Sequence, residues 1–512
     1  MDHYQLKLSR KQFILGLGLL WLPLAVIARN HKKENKFFRH GIASGDPLFD
    51  RVMIWTRVTT TILAPVYWEV ALDKNFNHIV AKGSYSLTAN NDYTVKIDVK
   101  GLTAATNYYY RFKYENEYSG TGKTRTLPST LAHSTFNLAV VSCNNWEDGY
   151  FNSFRFLAAK QEVDLVLHLG DYIYEYGIGE YANPKTDRKN VPAHEIITLN
   201  DYRERYAHYR SDVDLQQLHA NKAFCLIWDD HEIANDAYKD GAKNHQANEG
   251  DWQKRKQAAM QAYFEWLPVR ATNALEMRRK ITIGNDVELF LLEQRMQGRT
   301  QQMDSSAKDF KNSDRSILGT EQFEWLANGL KTSKATWKLI GNQVMFAGYA
   351  TADGFKLPKY NDWWLGYPHE RNKLVEFLKN EKINNPIFLT GDHHESFVLA
   401  LHQEKEFMKY TTPFEEKPLA WELLTPSITS KNADRLTSEE IAKTEKMLYD
   451  KKVNPHLVFA DIKNHGYFIA SISKTSFDTT YFFVDNINDS TANEVKSASF
   501  SIDPKTFMIK KQ

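Results

Sequence analysis

The chain has 512 residues, 42% hydrophobic and 25% charged, and no low-complexity tract, a length that predicts more than one domain and ample buried core. A formal charge of +2 gives no signal for nucleic acid or an anionic membrane surface, so an anionic ligand has to be held by a local site. Cys143 and Cys225 are its only cysteines, which excludes a disulfide scaffold.

Lys7, Arg10 and Lys11 precede an apolar run from Phe13 to Leu22; Pro23 interrupts it and Leu24 to Ala28 continue it. The run is short for a bilayer span, which needs about 20 residues. Its Val26-Ile27-Ala28 tail suits a cleavage point, so residues 1–28 are expected to be a signal peptide. Ser9-Arg10-Lys11-Gln12-Phe13-Ile14 resembles a twin-arginine export signal, with Lys11 in place of the second arginine. The expected location is therefore periplasmic or secreted, with no stable membrane span once the signal is removed.

From His40 to Pro128 the sequence reads as all-β. Val66 to Leu72 and Tyr93 to Val99 alternate apolar and polar residues between short turns. Leu102, Thr106, Tyr108, Tyr110 and Phe112 resemble the tyrosine-corner strand of a fibronectin III/Ig-like sandwich. This domain, set at 37–130, clusters no titratable groups and is expected to support a catalytic domain at 134–512. There the pattern changes to near-continuous apolar runs at Phe136–Val141, Val163–Leu169, Ala223–Trp228, Val287–Leu292, Trp337–Ile340 and Pro386–Leu389. Such runs suit strands covered on both faces. Helical patterns lie between them, as at Asp251–Trp266 and Glu321–Leu330, and the alternation means a layered α/β domain. From Tyr467 the chain returns to strands.

Four apolar runs end in reactive residues: Ser142-Cys143-Asn144, Gly170-Asp171-Tyr172-Ile173-Tyr174, Asp229-Asp230-His231-Glu232 and Gly391-Asp392-His393-His394. Ligands gather outside the carboxyl ends of strands in such sheets. A single Asp there is usually a helix cap; four ends that each supply metal-capable side chains argue for a shared site. Cys143 thiolate and Tyr174 phenolate suit a redox metal such as Fe(III). Asp171, Asp230, Asp392 and the Asn235 amide are hard oxygen donors suited to calcium or manganese, and His394 adds an imidazole. Cys225 lies roughly 16 Å down its strand from the tip, too far for a bridge to Cys143, so Cys225 reads as a core thiol.

The order of these motifs resembles the alkaline phosphatase D (PhoD-like) family of calcineurin-like metallophosphoesterases. The likeness extends through His40-Gly41-Ile42-Ala43-Ser44-Gly45-Asp46-Pro47, Tyr202-Arg203-x-Arg205-Tyr206, Glu249-Gly250-Asp251-Trp252 and Glu265-Trp266-x-Pro268-Val269-Arg270. It continues in Asp362-x-Trp364-x-Gly366-Tyr367, Pro426-Ser427-Ile428-Thr429-Ser430, Asn454-Pro455-His456 and His465-Gly466-Tyr467. The resemblance implies a four-layer αββα metallophosphoesterase domain behind the sandwich, holding one Fe(III) and two Ca(II). Cys143, Asp171, Tyr174 and His394 match iron ligands; Asp171 bridges to calcium, which Asp392 and Asn235 also hold; Asp230 stands where related enzymes carry a metal-binding Asn; His231 matches the catalytic histidine. Leu292-Glu293-Gln294-Arg295 departs from the family's Leu-Asp-Thr-Arg, and the terminal helix found over the site in some members is replaced by strand-like sequence.

The implied activity is hydrolysis of phosphomonoesters, phosphodiesters or both, on small or polymeric substrates, with phospholipase D-type action as the alternative within the family. Arg270 and Arg295 could clamp phosphate or form ion pairs. His393 reads as structural, Asn342-Gln343 as a loop hydrogen-bonding pair, and Trp363, Trp364 and Tyr367 as pocket wall or packing. The loops Gly177–Asn200 and Pro358–Pro368 are expected to set substrate size. Two other classes compete: a cysteine hydrolase using Cys143 with His231, and an exported binding protein without activity.

Overall fold

The computed structural model describes residues 35–270, 277–350, 361–402 and 417–512. The expected signal peptide and the start of the Pro358–Pro368 loop lie outside these residues. Among the described residues, no helix is long and apolar enough to cross a membrane.

The chain opens with β1 (Ile42–Gly45), β2 (Arg51–Arg57), β3 (Pro65–Ala71), β4 (Ile79–Ser86), β5 (Thr94–Lys100), β6 (Asn107–Tyr114), β7 (Glu117–Tyr118) and β8 (Gly122–Arg125). Helices then alternate with strands: β9 (Phe136–Val141), α1 (Asn152–Ala159), β10 (Leu165–His168), α2 (Leu199–Tyr209), α3 (Val213–Asn221), β11 (Ala223–Leu226) and α4 (Trp252–Trp266). A second series follows: β12 (Arg279–Ile283), β13 (Val287–Leu291), α5 (Gly319–Thr332), β14 (Trp337–Asn342), α6 (Pro368–Asn380), β15 (Pro386–Thr390), β16 (Ser396–Leu401), β17 (Ala420–Leu424) and α7 (Ser438–Leu448). The chain ends in β18 (Leu457–Asp461), β19 (His465–Ile472), β20 (Phe477–Val484), β21 (Glu494–Ile502) and β22 (Ile509–Lys511). α4 begins one residue inside the predicted Asp251–Trp266 helix, because Asp251 is its cap and accepts the Lys254 N–H.

A ten-stranded sheet runs β22-β21-β20-β19-β9-β10-β11-β1-β2-β5, and a seven-stranded sheet runs β12-β13-β14-β15-β17-β16-β18. The apolar runs are buried on both faces, as their composition requires. Leu289, Leu339 and Leu389 share one core with Leu138, Val140, Leu165 and Leu167 of the other sheet. Their neighbours Phe290, Ile340 and Phe388 point the opposite way, onto Phe323 and Leu326 of α5 and Leu374 and Leu378 of α6. Phe154 and Leu157 of α1, Tyr202 and Tyr206 of α2, and Leu215 of α3 cover the ten-stranded sheet. The order helices, sheet, sheet, helices is the expected four-layer arrangement.

The N-terminal segment has the interior of a sandwich. Val52 and Ile54 of β2 and Val95 and Val99 of β5 pack on Val66 and Val70 of β3 and Tyr110 and Phe112 of β6, in a core of their own. The tyrosine corner is present: Tyr108 Oη accepts the Thr103 N–H at 2.8 Å. Alternation alone did not reveal that one layer of this sandwich continues the catalytic sheet. β1 pairs in parallel with β11, Ser44 opposite Ala223 and Gly45 opposite Phe224, so the open edge of β11 is covered by the N-terminal segment. At the far side, β19 pairs antiparallel with β9, and the final residues are strands as read.

Leu389→Ala, which empties volume between the sheets, is expected to cost about 2–5 kcal/mol. Tyr67→Ala, on the exposed face of β3 at 52% exposure, should change stability by less than about 0.5 kcal/mol. Denaturant unfolding of the two variants checks the contrast.

Candidate metal centre

β9, β10 and β11 are mutually parallel, as are β13, β14, β15 and β17 in the second sheet. Their carboxyl-end loops therefore emerge at one end of each sheet, and hydrogen bonds stitch those ends together. Cys143 N–H donates to Gly170 O at 3.1 Å, and Ile428 N–H to Ser142 O at 3.0 Å. Gln343 Nε2 reaches Trp228 O at 2.9 Å. Gly170, at φ +103°, lets these loops meet: a Cβ there would lie 2.5 Å from Asp229 Cβ.

Cys143, Asp171 and His394 each place a ligand atom within 4.8 Å of the others, as do Asp171, Asp230 and His231, and Asp229, Asp230 and Asp392. Asp171 Oδ2 is the hub: Cys143 Sγ lies 3.4 Å from it and Tyr174 Oη 3.0 Å. Ser430 Oγ sits 2.5 Å from Tyr174 Oη and 2.9 Å from Cys143 O. Cys143, Asp171, Asp392 and His394 all have φ between +57° and +67°, a region costing roughly 1–2 kcal/mol for residues with a Cβ. Strain of this kind gathers where surrounding structure aims side chains for a task. Asn235 joins through its backbone, its N–H donating to Glu175 Oε1 at 2.7 Å.

The electrostatics of this set call for cations. Burial, reinforced by the Asp171 charge, pushes the Cys143 thiol up, and burial with the Asp171 and Cys143 charges pushes the Tyr174 phenol up. Asp171 is raised well above the carboxylate range by burial, with Asp230, Asp229 and Glu232 adding to it against the opposing His231 charge. Asp392 is raised by burial and by Asp362 and Asp229. Protein charges alone thus leave thiol, phenol and carboxylates short of positive partners, and Asp171 Oδ1 is buried with no hydrogen-bond donor among the described residues. Multivalent cations supply that missing charge. The half-buried His394 ring is held down at about 3 by desolvation. Its Nδ1 faces Lys431 O at 2.8 Å and so carries the proton, leaving Nε2 with a free lone pair. The donor set fits metal ions.

A cysteine-hydrolase arrangement is not what forms. The Asp171 carboxylate beside Cys143 opposes thiolate formation in the absence of a cation. His231 is engaged elsewhere, its Nδ1 2.7 Å from Glu175 Oε2.

Several residues of the site carried no assignment from sequence. Glu175 is fully buried, and besides His231 it accepts from Asn244 Nδ2 at 2.8 Å. Burial opposes a charge on His231, yet the Glu175, Asp230 and Asp171 carboxylates raise it well above its usual range. Glu232 accepts three backbone N–H groups, from Asp171, Tyr172 and Asp229, and so ties two strand-end loops together. Asp236 and Asp362 form a further acidic group with Asp230; Asp362 stands in a motif that was legible by resemblance but without a chemical role. Arg295, read from sequence as a phosphate clamp or an ion-pair former, is fully buried in ion pairs with Asp229, Asp230, Asp362 and Asp392. Glu293 accepts the Arg295, Met296 and Gln297 N–H groups and the Trp228 indole, so it shapes the loop that delivers Arg295.

Other predicted residues are structural. His393 sits between Tyr349 Oη at 3.2 Å and Glu395 at 3.3 Å, with its ring edge-on to Trp363. Asn342 and Gln343 bond loop carbonyls and Thr390. Trp364 and Tyr367 are buried, bonded to Asn342 and Thr300. Arg270 pairs with Asp98 at 2.9 Å and bonds Asp46, an ion pair with the N-terminal sandwich. Both cysteines are free and buried.

The sequence profile described as "PhoD-like phosphatase" matches residues 138–481, and that described as "PhoD-like phosphatase, N-terminal domain" matches 25–128. The chain belongs to the PhoD-like phosphatase family. It is accordingly a phosphoric ester hydrolase. Alkaline phosphatase D of Bacillus subtilis (strain 168) is 35% identical over 483 residues, spanning 90% of this chain and 80% of that protein. The solved structure titled "Structure of PhoD" superposes with a TM-score of 0.83 at 33% identity, over 94% of this chain and 93% of that one. A purple acid phosphatase, PPD1 from yellow lupin (Lupinus luteus), shares the fold with a TM-score of 0.55 at 12% identity, over 90% of this chain and 74% of its own.

Gly170→Ala tests the loop crossing on which this PhoD-like site rests. A clash with Asp229 and a φ of +103° are expected to lower stability by more than about 1 kcal/mol. The loss should appear in thermal unfolding, and a neutral outcome would mean that the loops tolerate more separation than the packing implies.

Proposed function

We propose that this PhoD-like phosphatase is an exported enzyme that hydrolyses phosphomonoesters or phosphodiesters at a centre of one Fe(III) and two Ca(II). The observation carrying this reading is the convergence of buried Cys143, Asp171 and Tyr174 with half-buried His394 beside Asp230 and Asp392, with Asp171 Oδ1 left without a donor among the described residues. Thiolate and phenolate are the donors of a ferric ion; Asp171, Asp230, Asp392 and Asn235 offer hard oxygens to calcium. Asp171 shares one group with Cys143 and His394 and another with Asp230 and His231, so it would help to hold both kinds of ion. When bound, the cations lower the pKa of water and neutralise charge on the phosphoryl oxygens. The sandwich at 37–130 buttresses the domain at 134–512, and residues 1–28 direct export.

What the chain's own groups do follows from their contacts. His231 is the general acid: Glu175 holds Nδ1–H, which leaves Nε2 to protonate the departing alkoxide. Glu175 is its positioning partner, and this contribution persists when cations engage Asp171 and Asp230. The Tyr174 ring stacks on His231 with centroids 4.2 Å apart, which fixes the imidazole plane.

Metal analysis with a visible spectrum, on protein made without chelator, tests the assignment. Phenolate and thiolate on Fe(III) should give a coloured charge-transfer band that Tyr174→Phe weakens; a colourless, iron-free and fully active preparation would refute it. Asp171→Asn is expected to reduce turnover more than about 100-fold with the fold intact. Glu175→Gln should lower kcat about 100-fold with little change in KM and no change in metal content. An equal loss of metal would place Glu175 in the cation cage instead.

A further inference from the structure

Arg295 is a guanidinium beside the proposed metal ligands that the metal reading leaves without a task. It is fully buried, and its nitrogens meet four carboxylates from three separate loops, the adjacent Asp229 and Asp230 sharing one. Nε lies 2.5 Å from Asp229 Oδ1, Nη1 2.8 Å from Asp362 Oδ2, and Nη2 3.0 Å from Asp392 Oδ1 and 3.5 Å from Asp230 Oδ1. These carboxylates are those of two acidic groups whose oxygens crowd within 4.8 Å, Asp229–Asp230–Asp392 and Asp230–Asp236–Asp362. Asp229 Oδ2, on the same carboxylate, is buried with no hydrogen-bond donor among the described residues.

We infer that Arg295 is a built-in counter-cation that occupies the position of a further divalent ion among Asp229, Asp230, Asp362 and Asp392. A hard cation of this kind takes oxygen ligands, and the four oxygens turned toward Arg295 are such donors already gathered, those of Asp229 and Asp230 buried and those of Asp362 and Asp392 half-buried. A guanidinium stays charged at any pH a protein survives and is covalently fixed. It therefore neutralises this cluster without exchange and engages one oxygen each of Asp230 and Asp392; the other Asp230 oxygen accepts the Asp236 N–H at 2.6 Å. Glu293 holds the short loop that makes this insertion possible.

The inference rests on the metal reading above, and its test separates the two. Full-length wild type, Arg295→Ala and Arg295→Lys are stripped, equilibrated with excess calcium, desalted and analysed for bound metal. Arg295→Ala should retain one more calcium per chain than wild type, while Arg295→Lys, which keeps the charge, should match wild type. Since Arg295→Ala leaves buried carboxylates uncompensated, its folding is followed as well. Millimolar calcium should raise its Tm by several degrees more than it raises that of wild type. An Arg295→Ala chain that binds the wild-type number of ions or fewer, or stays unfolded at every calcium concentration, overturns the counter-cation role. A wild-type chain that binds no metal sinks the metal reading itself.

Discussion

Negative charge gathered out of water is the constraint around which this molecule is arranged. Asp171, Asp229, Asp230 and Glu232, with Glu175 beside them, are buried side chains delivered by loops of one sheet, and Asp392 joins them from the other. Taking even one carboxylate out of water is costly unless it is paired. Among the described residues, the cations that answer them are the buried Arg295 guanidinium and a His231 charge stabilised by Glu175. The remaining shortfall is expressed in the raised Asp171, Asp392, Cys143 and Tyr174. It is the physical reason that the site fits metal ions and makes a poor cysteine nucleophile.

Holding such a cluster together against its own repulsion requires a stiff frame. Parallel strands from two sheets end at the same level, and their loops exchange backbone hydrogen bonds across the gap between the sheets. Glu232 ties the Asp171 and Asp229 loops by three N–H groups, and the Ser427–Ser430 loop binds the carbonyls of Ser142 and Cys143. Gly170 allows the closest approach, and non-glycine residues in left-handed conformations supply the rest. The N-terminal strands extend the same frame, since β1 and β2 continue the sheet that carries Asp171.

The family and the fold were legible because both are written in local order. Apolar runs that end in Asp, Cys and His state which strands are buried and which tips carry chemistry, and residues such as Cys143, Asp171, Tyr174 and His394 announce their donor atoms by type. Less legible were residues whose role is a contact with something distant in sequence. Glu175 looks like any acidic residue after a tyrosine; only its approach to His231, across a separation of 56 residues, makes it a positioning group. Arg295 sits in a changed neighbourhood, Glu293-Gln294 in place of Asp-Thr, and only the fold shows that Glu293 shapes its loop so that the guanidinium lands among four aspartates.

The sequence by itself determined the layered α/β class, the sandwich ahead of it, which strand ends carry candidate donors, and membership of a phosphoesterase family, since periodicity and residue type travel with the chain. Tertiary structure alone decided which of the many acidic residues share one buried volume, which of them Arg295 neutralises, and that the sandwich is joined edge to edge with the catalytic sheet. Those outcomes depend on distances between loops far apart in the chain, and on how much water is left between them. Neither quantity is written in any single stretch of residues.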